Sequence, residues 1–177
     1  IGAEGPGARH TTDSTERFAG EDRGNSVAFA RAAVAGGASL VIGHGPHVLR
    51  AVEWDGGSLV AYSLGNLVTY GPFSHAGFND HGAVLCATIA ADGRVRGATL
   101  RATKQRAPGI VQADPDNAGI LEVIELTTRD FPRTGARILP SGEISPARRS
   151  AYGRMNTLAS VMGNAATLSY KACALPS

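Results

Sequence analysis

Residues 38–47 read ASLVIGHGPH, and this stretch decides the fold. Its first half is an apolar run of strand length, and its second half is a polar turn shaped by glycine and proline. Open α/β sheets usually hold their ligands at the carboxyl ends of the strands. We therefore expect a buried strand that presents His44 and His47 at the edge of a sheet.

A helix is predicted directly before this strand. Apolar residues recur at helical spacing from Val27 to Val34, Asn25 and Ser26 are good N-cap residues, and Gly36 suits a helix C-terminus. A helix followed by a buried strand and a glycine-rich turn is typical of α/β proteins.

Two hairpins are predicted after the turn. The first joins residues 49–54 to 59–63 through Asp55-Gly56-Gly57, and the second joins 84–89 to 95–100 around Asp92-Gly93. The sheet should therefore be mixed.

The remaining segments have weaker patterns. Residues 1–23 are expected to be a long loop and residues 64–82 a second, surface loop. A later helix is predicted through Ile120 and Thr127, with Asp116 or Asn117 as its cap. We expect a domain over residues 1–147, followed by an appended helix or tail over residues 148–177.

Composition limits the class of protein. The 177 residues are 43% hydrophobic and 18% charged with a formal net charge of +2, which predicts one globular domain and no nucleic-acid partner. No apolar stretch approaches the roughly 20 residues of a membrane span. Ile1 is not an initiator methionine, so we expect a piece of a longer protein. Cys86 and Cys173 are too few and too distant for a disulfide framework, and Cys86 is expected to be a small buried hydrophobic residue.

His44 and His47 are the main candidates for chemistry. Two imidazoles from one rigid turn suit a transition metal, because neutral imidazole is a common ligand. The structural alternative is that one histidine caps the strand end while the other is exposed.

Glu4 and Asn66 are the next candidates. A carboxylate among glycines can bind a metal or accept a proton from water, although a solvated loop carboxylate is the simpler interpretation. Asn66 follows a strand in Tyr62-Ser63-Leu64-Gly65-Asn66, where a carboxamide can hold a phosphate, a metal or its own turn.

Other polar loop residues are candidate substrate contacts. His10 lies in the opening loop and His75 in the second loop, and exposed residues of these types are more often simply solvated. The further candidates in the same two loops are Asp13, Arg23, Asn79, Asp80 and His81.

Residues 37–48, followed by residues 60–66, resemble the paired signature of CapA-type poly-gamma-glutamate capsule biosynthesis proteins. The resemblance covers residues 1 to about 139. This family is similar to calcineurin-type metallophosphoesterases, which implies a layered α/β sandwich with a mixed sheet. Residues 1–4 match the last four positions of an earlier His-x-Gly-x-Glu element, so its histidine is expected just before Ile1. Gly45 stands where the family usually has histidine.

The resemblance also implies a site. Glu4, His44 and His47 would bind divalent metal ions such as Mn, Zn or Fe, and Glu4, His47 and Asn66 would be catalytic. Apart from the resemblance, the loop positions of His10, Asn66 and His75 make them the predicted substrate contacts. If the amino-terminal half of the family domain is absent, an exposed sheet edge and apolar face are expected.

Three functions are open at this point. The first is synthesis or export of poly-gamma-glutamate, an anionic polymer, with a capsule synthase membrane complex as partner at the outer face of a bacterial membrane. The second is a metal-dependent phosphoesterase that acts on a small or lipid-linked phosphate. The third is a non-catalytic binding domain that retains the fold.

Overall fold

The structure is a computed structural model, and it describes residues 2–70, 74–147 and 169–174. Two 3-10 helices lie at Pro6–Ala8 and Gly77–Asp80. The helices and strands are β1 (Glu16–Phe18), β2 (Glu21–Gly24), α1 (Ser26–Ala35), β3 (Leu40–Ile42), β4 (Val52–Asp55), β5 (Ser58–Ala61), β6 (His81–Ala90), β7 (Val95–Arg106), β8 (Ile110–Ala113), α2 (Ala118–Asp130), β9 (Arg137–Ile138), β10 (Glu143–Ser145) and β11 (Ser169–Ala174).

The small sheet that carries the decisive stretch has three strands in the order β3-β5-β4. Strand β3 is parallel to β5, whereas β4 and β5 form the predicted antiparallel hairpin. Among the described residues, β3 pairs on one side only and is therefore an edge strand of this sheet.

The large sheet is antiparallel and has the order β11-β6-β7-β10-β9, with β8 also pairing with β7. Its centre is the second predicted hairpin, which pairs β6 with β7 from His81 opposite Lys104 to Ile89 opposite Val95. Both predicted hairpins and the mixed character of the small sheet are therefore confirmed.

The two faces of the small sheet contact different cores. Leu40, Leu59 and Ala61 face the main core between the two sheets, which Ile120 and Val123 of α2 complete. Val41 and Val60 alternate with these residues and face α1, where a second core includes Val27, Ala30 and Tyr62. Since side chains alternate across a strand, one short apolar run supplies both cores. The result is the predicted α/β sandwich.

Helix α1 forms as predicted. Asn25 is its N-cap, and the side-chain oxygen of Asn25 accepts a hydrogen bond from Ala28 N at 2.9 Å. Helix α2 begins at the predicted position, but its first turn is capped by a different side chain. Asn117 occupies the N-cap position with φ 53° and makes no side-chain capping bond, whereas Asp114 Oδ2 accepts from Gly119 N at 2.8 Å.

The opening segment is more ordered than predicted. Instead of one loop over residues 1–23, it contains a 3-10 helix and the β1–β2 hairpin, which turns at Ala19 and Gly20. Both turn residues have positive φ, at 52° and 81°. The strands are short and mostly exposed, so they carry no apolar alternation that a sequence pattern could reveal.

The second loop, predicted as a surface segment over residues 64–82, is partly interior. Asn66, Thr69, Asn79 and Asp80 are all buried. Gln105 of β7 holds this segment, because its Oε1 accepts from Thr69 N at 2.7 Å and its Nε2 donates to Asn66 O at 3.3 Å. A buried amide on a neighbouring strand therefore replaces the water that was expected to solvate the loop.

Cys86 is not the free, buried cysteine that was predicted. It forms a disulfide with Cys173, and the two residues are directly opposite each other in the antiparallel pair of β6 and β11. A sequence separation of 87 residues hides such a pairing, because strand register and not spacing brings the two thiols together.

Most of the predicted tail, including the loose helical pattern from Tyr152 to Met162, lies outside the described residues. Within residues 148–177, the structure describes strand β11, which extends the large sheet beside β6. The domain boundary after residue 147 stays a prediction. No helix in the described ranges is both long and apolar enough to cross a lipid bilayer.

Candidate functional site

The glycine-rich turn begins where β3 ends and lies against the end of β5. Gly43 N donates to Ala61 O at 2.8 Å. A Cβ atom at Gly43 would lie 2.4 Å from Tyr62 O, which is closer than any side chain could tolerate. Glycine at this position therefore lets the turn approach the neighbouring strand, and the turn and residues 62–66 meet at one edge of the sheet.

His47 and Asn66 are joined by a hydrogen bond. His47 Nδ1 lies 2.8 Å from Asn66 Oδ1, and Asn66 is only 1% exposed. Asn66 Nδ2 donates to His47 O and to Asn79 O, both at 3.1 Å. Asn79 Nδ2 adds a longer bond to His47 O at 3.3 Å. Two buried amides therefore hold the backbone and the ring of one histidine.

This arrangement fixes the tautomer of His47. Both acceptors of Asn66 Nδ2 are backbone carbonyl oxygens, so the amide nitrogen must face them and Oδ1 must face the imidazole. His47 Nδ1 therefore donates its proton to Asn66, and in the neutral ring Nε2 carries the lone pair. An imidazole oriented in this way can accept a proton or bind a ligand through Nε2.

The backbone at His47 is also unusual. Its φ is 59°, in the left-handed region that costs a residue with a side chain about 1–3 kcal/mol. Close packing behind it fixes the Asn66 turn, since a Cβ at Gly82 would lie 2.0 Å from Asn66 O. The amides of Asn66 and Asn79 hold the backbone of His47, and β6 packs against the Asn66 turn.

His44 lies beside a different set of neighbours. It lines a cavity of about 260 Å³ between α1 and the small sheet, whose other lining residues include Ser26, Phe29, Val41 and Tyr62. Burial lowers the pKa of His44 below its usual value. The ring is therefore neutral at neutral pH, which is the form that a metal or a proton donor requires.

The opening segment reaches the histidine turn. Gly5 N donates to Pro46 O at 2.8 Å, which brings the chain beside Glu4 to the residue before His47. The carboxylate of Glu4 forms an ion pair with Arg23, at 3.3 Å between Oε1 and the guanidinium. The opening segment therefore reaches the histidine turn, and the Glu4 side chain contacts Arg23.

A buried ion pair anchors this segment. The guanidinium of Arg50, which is 0% exposed, binds both oxygens of Glu16 at 2.8 and 2.7 Å and donates from Nε to Ala8 O at 2.7 Å. Ala3 N donates to Glu16 Oε2 at 2.8 Å. Burial alone would raise the pKa of Glu16, but the hydrogen bonds from Arg50 and Ala3 outweigh it, so the pKa lies below its usual value. The sequence offered no signal for this pair, because its members are 34 residues apart.

The other predicted substrate residues are dispersed. His75 Nε2 lies 2.9 Å from Thr69 O, and through Thr69 and Gln105 it is connected to the backbone of Asn66. His10 instead pairs with Asp130 at 3.1 Å, at the carboxyl end of α2. The structure therefore brings His47 and Asn66 together, connects His75 to them indirectly, and places His10 in a separate cleft.

A charged cluster that was not predicted lies beside the Asn66 turn. His81 Nδ1 lies 2.8 Å from Glu122 Oε2, and Arg9 Nε donates to the other oxygen of Glu122 at 2.8 Å. Asp80 Oδ1 is 3.4 Å from His81 Nε2 and Asp80 Oδ2 is 3.6 Å from Lys104. The hydrogen bond to Glu122 is the main reason that the pKa of His81 is raised, although burial opposes it.

This cluster should make stability depend on pH. The raised pKa means that the His81–Glu122 contribution is fully present below the unfolded pKa of about 6.5 and is lost as pH rises through the folded pKa. The free energy of unfolding relative to His81→Gln should therefore be larger at about pH 5.5 than at about pH 8.5. Urea titrations at both pH values measure the difference. Glu122→Gln should remove the same pH dependence. A stability difference between wild type and His81→Gln that is equal at both pH values would contradict the assignment.

The metal site predicted at Glu4, His44 and His47 stays a prediction. Among residues 2–70, 74–147 and 169–174, no group of three or more His, Cys, Asp or Glu side chains is placed so that it could hold a metal ion. The ion pair of Glu4 with Arg23 directs that carboxylate to a guanidinium. A metal centre here would need a change at Glu4 or further ligands.

One segment of the chain is similar to a known protein family. Residues 18–70 match the family model of the bacterial capsule synthesis protein PGA_cap. No curated protein matches the chain. The matched segment holds α1, the small sheet, the glycine-rich turn and the Asn66 turn. It therefore includes both sides of the His47–Asn66 hydrogen bond. Residues 18–70 of this chain are therefore similar to the bacterial capsule synthesis protein family.

Proposed function

We propose that this chain acts in the synthesis or export of an anionic capsule polymer, poly-gamma-glutamate, with the His47–Asn66 pair as the centre of its site. One observation carries the proposal. The family match covers the two turns, and these turns meet through a bond of 2.8 Å between a histidine and a buried asparagine. The conformation of His47 is strained and held by buried amides, which is typical of functional positions.

The orientation of the ring supports a role in handling a polar substrate. Asn66 and Asn79 hold the ring and the backbone of His47 in one position, and an imidazole can act as a proton acceptor or as a ligand. Asn66 acts as a positioning residue, because its side chain is engaged with His47 and Asn79 and it is almost entirely buried. Glu4 and His75 are connected to this site through Gly5 and Thr69, respectively.

The disulfide supports a location outside the cytoplasm. Disulfides persist mainly in oxidising compartments such as the cell exterior and the bacterial periplasm. The Cys86–Cys173 bond therefore fits a capsule protein at the outer face of the membrane, where a capsule synthase complex would be its partner.

Complementation tests the function. A strain that lacks the gene for this protein is supplied with the wild type, His47→Gln, Asn66→Ala or the control Gln112→Ala, which removes an exposed amide on β8. Extracted capsule polymer is hydrolysed and its glutamate is measured. We expect the wild type and Gln112→Ala to restore glutamate polymer, and His47→Gln and Asn66→Ala to lower it by about tenfold or more.

Two results would contradict the proposal. One is full polymer production in the deletion strain, and the other is full restoration by both site variants. Thermal unfolding of each purified variant separates loss of function from loss of folding, because His47→Gln keeps a hydrogen-bonding side chain at the turn.

The second candidate function is a metal-dependent phosphoesterase. It is favoured by the bond between Gly5 and Pro46, which brings the segment of Glu4 to the histidine turn. Hydrolysis of p-nitrophenyl phosphate in the presence of Mn²⁺ or Zn²⁺, and its loss in His44→Ala and His47→Ala, would support this activity. Absence of both turnover and bound metal, together with polymer binding, would instead favour a non-catalytic binding domain.

A further inference from the structure

A second cleft lies away from the His47–Asn66 site. It has a volume of about 560 Å³ and lies between residues 10–13, the first turns of α1 and the carboxyl end of α2. Residues 10–13 form one wall of the cleft. Asp130 holds this wall, since it pairs with His10 and accepts a hydrogen bond from Thr11 N at 2.8 Å. None of the residues that line this cleft belongs to the two turns of the candidate site.

The acidic groups of the cleft are already paired. Asp13 accepts a hydrogen bond from Asn25 at 2.9 Å and forms an ion pair with Arg31. Hydrogen bonds from Asn25 and Arg31 hold the pKa of Asp13 below its usual value, so Asp13 is ionised at neutral pH. Asp130 is occupied by His10 and the Thr11 amide.

Two arginines of the same cleft have no such partner. Arg129, in the last turn of α2, and Arg133, just after the helix, line the cleft and are exposed. Neither forms an ion pair with any residue in the described ranges. Guanidinium groups bind carboxylate and phosphate oxygens through paired hydrogen bonds. The cleft therefore presents cationic groups that are available to an anion.

A buried hydroxyl lies in the same wall. Thr11 is 4% exposed, and its Oγ1 has no hydrogen-bond partner among the described residues. A buried hydroxyl without a partner costs about 1–3 kcal/mol.

We propose that this cleft binds oxyanion groups of an extended anionic polymer, with Arg129 and Arg133 as the primary contacts. Its volume is in the range that accommodates a ligand of several residues and exceeds the needs of a single small anion. The inference rests on the proposed function for the identity of the polymer, poly-gamma-glutamate, whose repeating groups are carboxylates. The positive charge of Arg129 and Arg133 does not depend on which polymer binds.

Binding by the full chain tests the proposal. Isothermal titration with poly-gamma-glutamate oligomers is compared for the wild type, the double variant Arg129→Gln/Arg133→Gln and the control Arg101→Gln/Arg106→Gln. The control removes two exposed arginines of β7 that do not line the cleft. We expect the cleft variant to bind about tenfold or more weakly, because two charge-assisted contacts are lost, and the control to change affinity by less than about threefold.

Three further probes distinguish the ligand chemistry. Polyacrylate, which carries carboxylates without glutamate, should bind in the same cleft, whereas neutral dextran should not bind. Inorganic pyrophosphate tests a phosphate ligand, and stronger cleft-dependent binding of pyrophosphate than of the glutamate oligomers would overturn the polymer assignment. Equal affinities of the wild type and the cleft variant for the oligomers, or equal losses in the cleft variant and the control, would overturn the site.

The two proposals fail separately. If the deletion strain still makes capsule but the cleft variant loses polymer binding in vitro, only the proposed function fails. If the deletion strain loses capsule but the cleft variant binds the oligomers as the wild type does, only the cleft fails. Circular dichroism and thermal unfolding of the cleft variant exclude misfolding, since both substituted side chains are exposed.

Discussion

Replacing Arg50 with alanine should lower the free energy of unfolding by about 3–5 kcal/mol, as is typical when one partner of a buried ion pair is removed. The Arg50 guanidinium is fully buried and binds both oxygens of Glu16 and the carbonyl of Ala8. Its removal leaves the mostly buried carboxylate of Glu16 without its cation. It also weakens the anchor of the opening segment, because Glu16 accepts the hydrogen bond from Ala3 N.

Urea denaturation of Arg50→Ala and of a matched control measures this effect. The control is Arg31→Ala, which breaks an ion pair with Asp13 whose side chains are 62% and 52% exposed, so it should cost less than about 1 kcal/mol. Equal costs for the two variants would contradict the assignment of Arg50 as an anchor. The double variant Glu16→Met/Arg50→Met should recover much of the loss, because no unpaired charge remains buried.

Acid should weaken the same anchor. The pKa of Glu16 is lowered on folding, so its contribution is present above the unfolded value of about 4.5 and is lost as pH falls through the folded pKa. The stability advantage of the wild type over Glu16→Met/Arg50→Met should therefore decline in acid. The same urea titrations, repeated at low pH, provide this check.

Reduction of the Cys86–Cys173 disulfide should lower the free energy of unfolding by about 2–4 kcal/mol, the usual effect of a disulfide. The bond closes a long loop, since 87 residues separate the two cysteines, and it joins β11 to β6. Breaking it gives the unfolded chain more conformational freedom and should release the edge strand of the large sheet first.

Thermal unfolding with and without a reducing agent measures this loss. Cys86→Ser/Cys173→Ser should unfold at the temperature of the reduced wild type and should not respond to the reducing agent. Mass spectrometry after alkylation of the denatured, unreduced protein gives an independent result. Two alkylated thiols per chain would show that the bond does not form.

Much of the fold around the site could be predicted, because it depends on local patterns. The apolar run from Leu40 to Ile42 forms a strand, and Asn25 caps the helix before it with a hydrogen bond to Ala28 N. The hairpin turn at Gly56 and Gly57 has positive φ at both positions, as its composition indicates. In each case the physical cause lies within a few residues.

Predictions failed where distant residues decide the structure. The short β1–β2 hairpin has little apolar surface, and the opening segment is held instead by Arg50 through Glu16. Residues near Asn66 and Thr69 were expected at the surface, but Gln105 supplies hydrogen bonds that allow them to be buried. A polar residue gives no sequence signal of its partner when that partner is on another strand.

The same contrast between local patterns and distant contacts applies to the candidate site. The sequence by itself determined that His44 and His47 follow a buried strand and that Asn66 follows another, because apolar runs and glycine turns encode these positions locally. Only the tertiary structure decided that His47 bonds to Asn66, that His10 lies in another cleft with Asp130, and that Cys86 meets Cys173. These contacts depend on strand order and register, which arise when the two sheets and α2 pack around a common core.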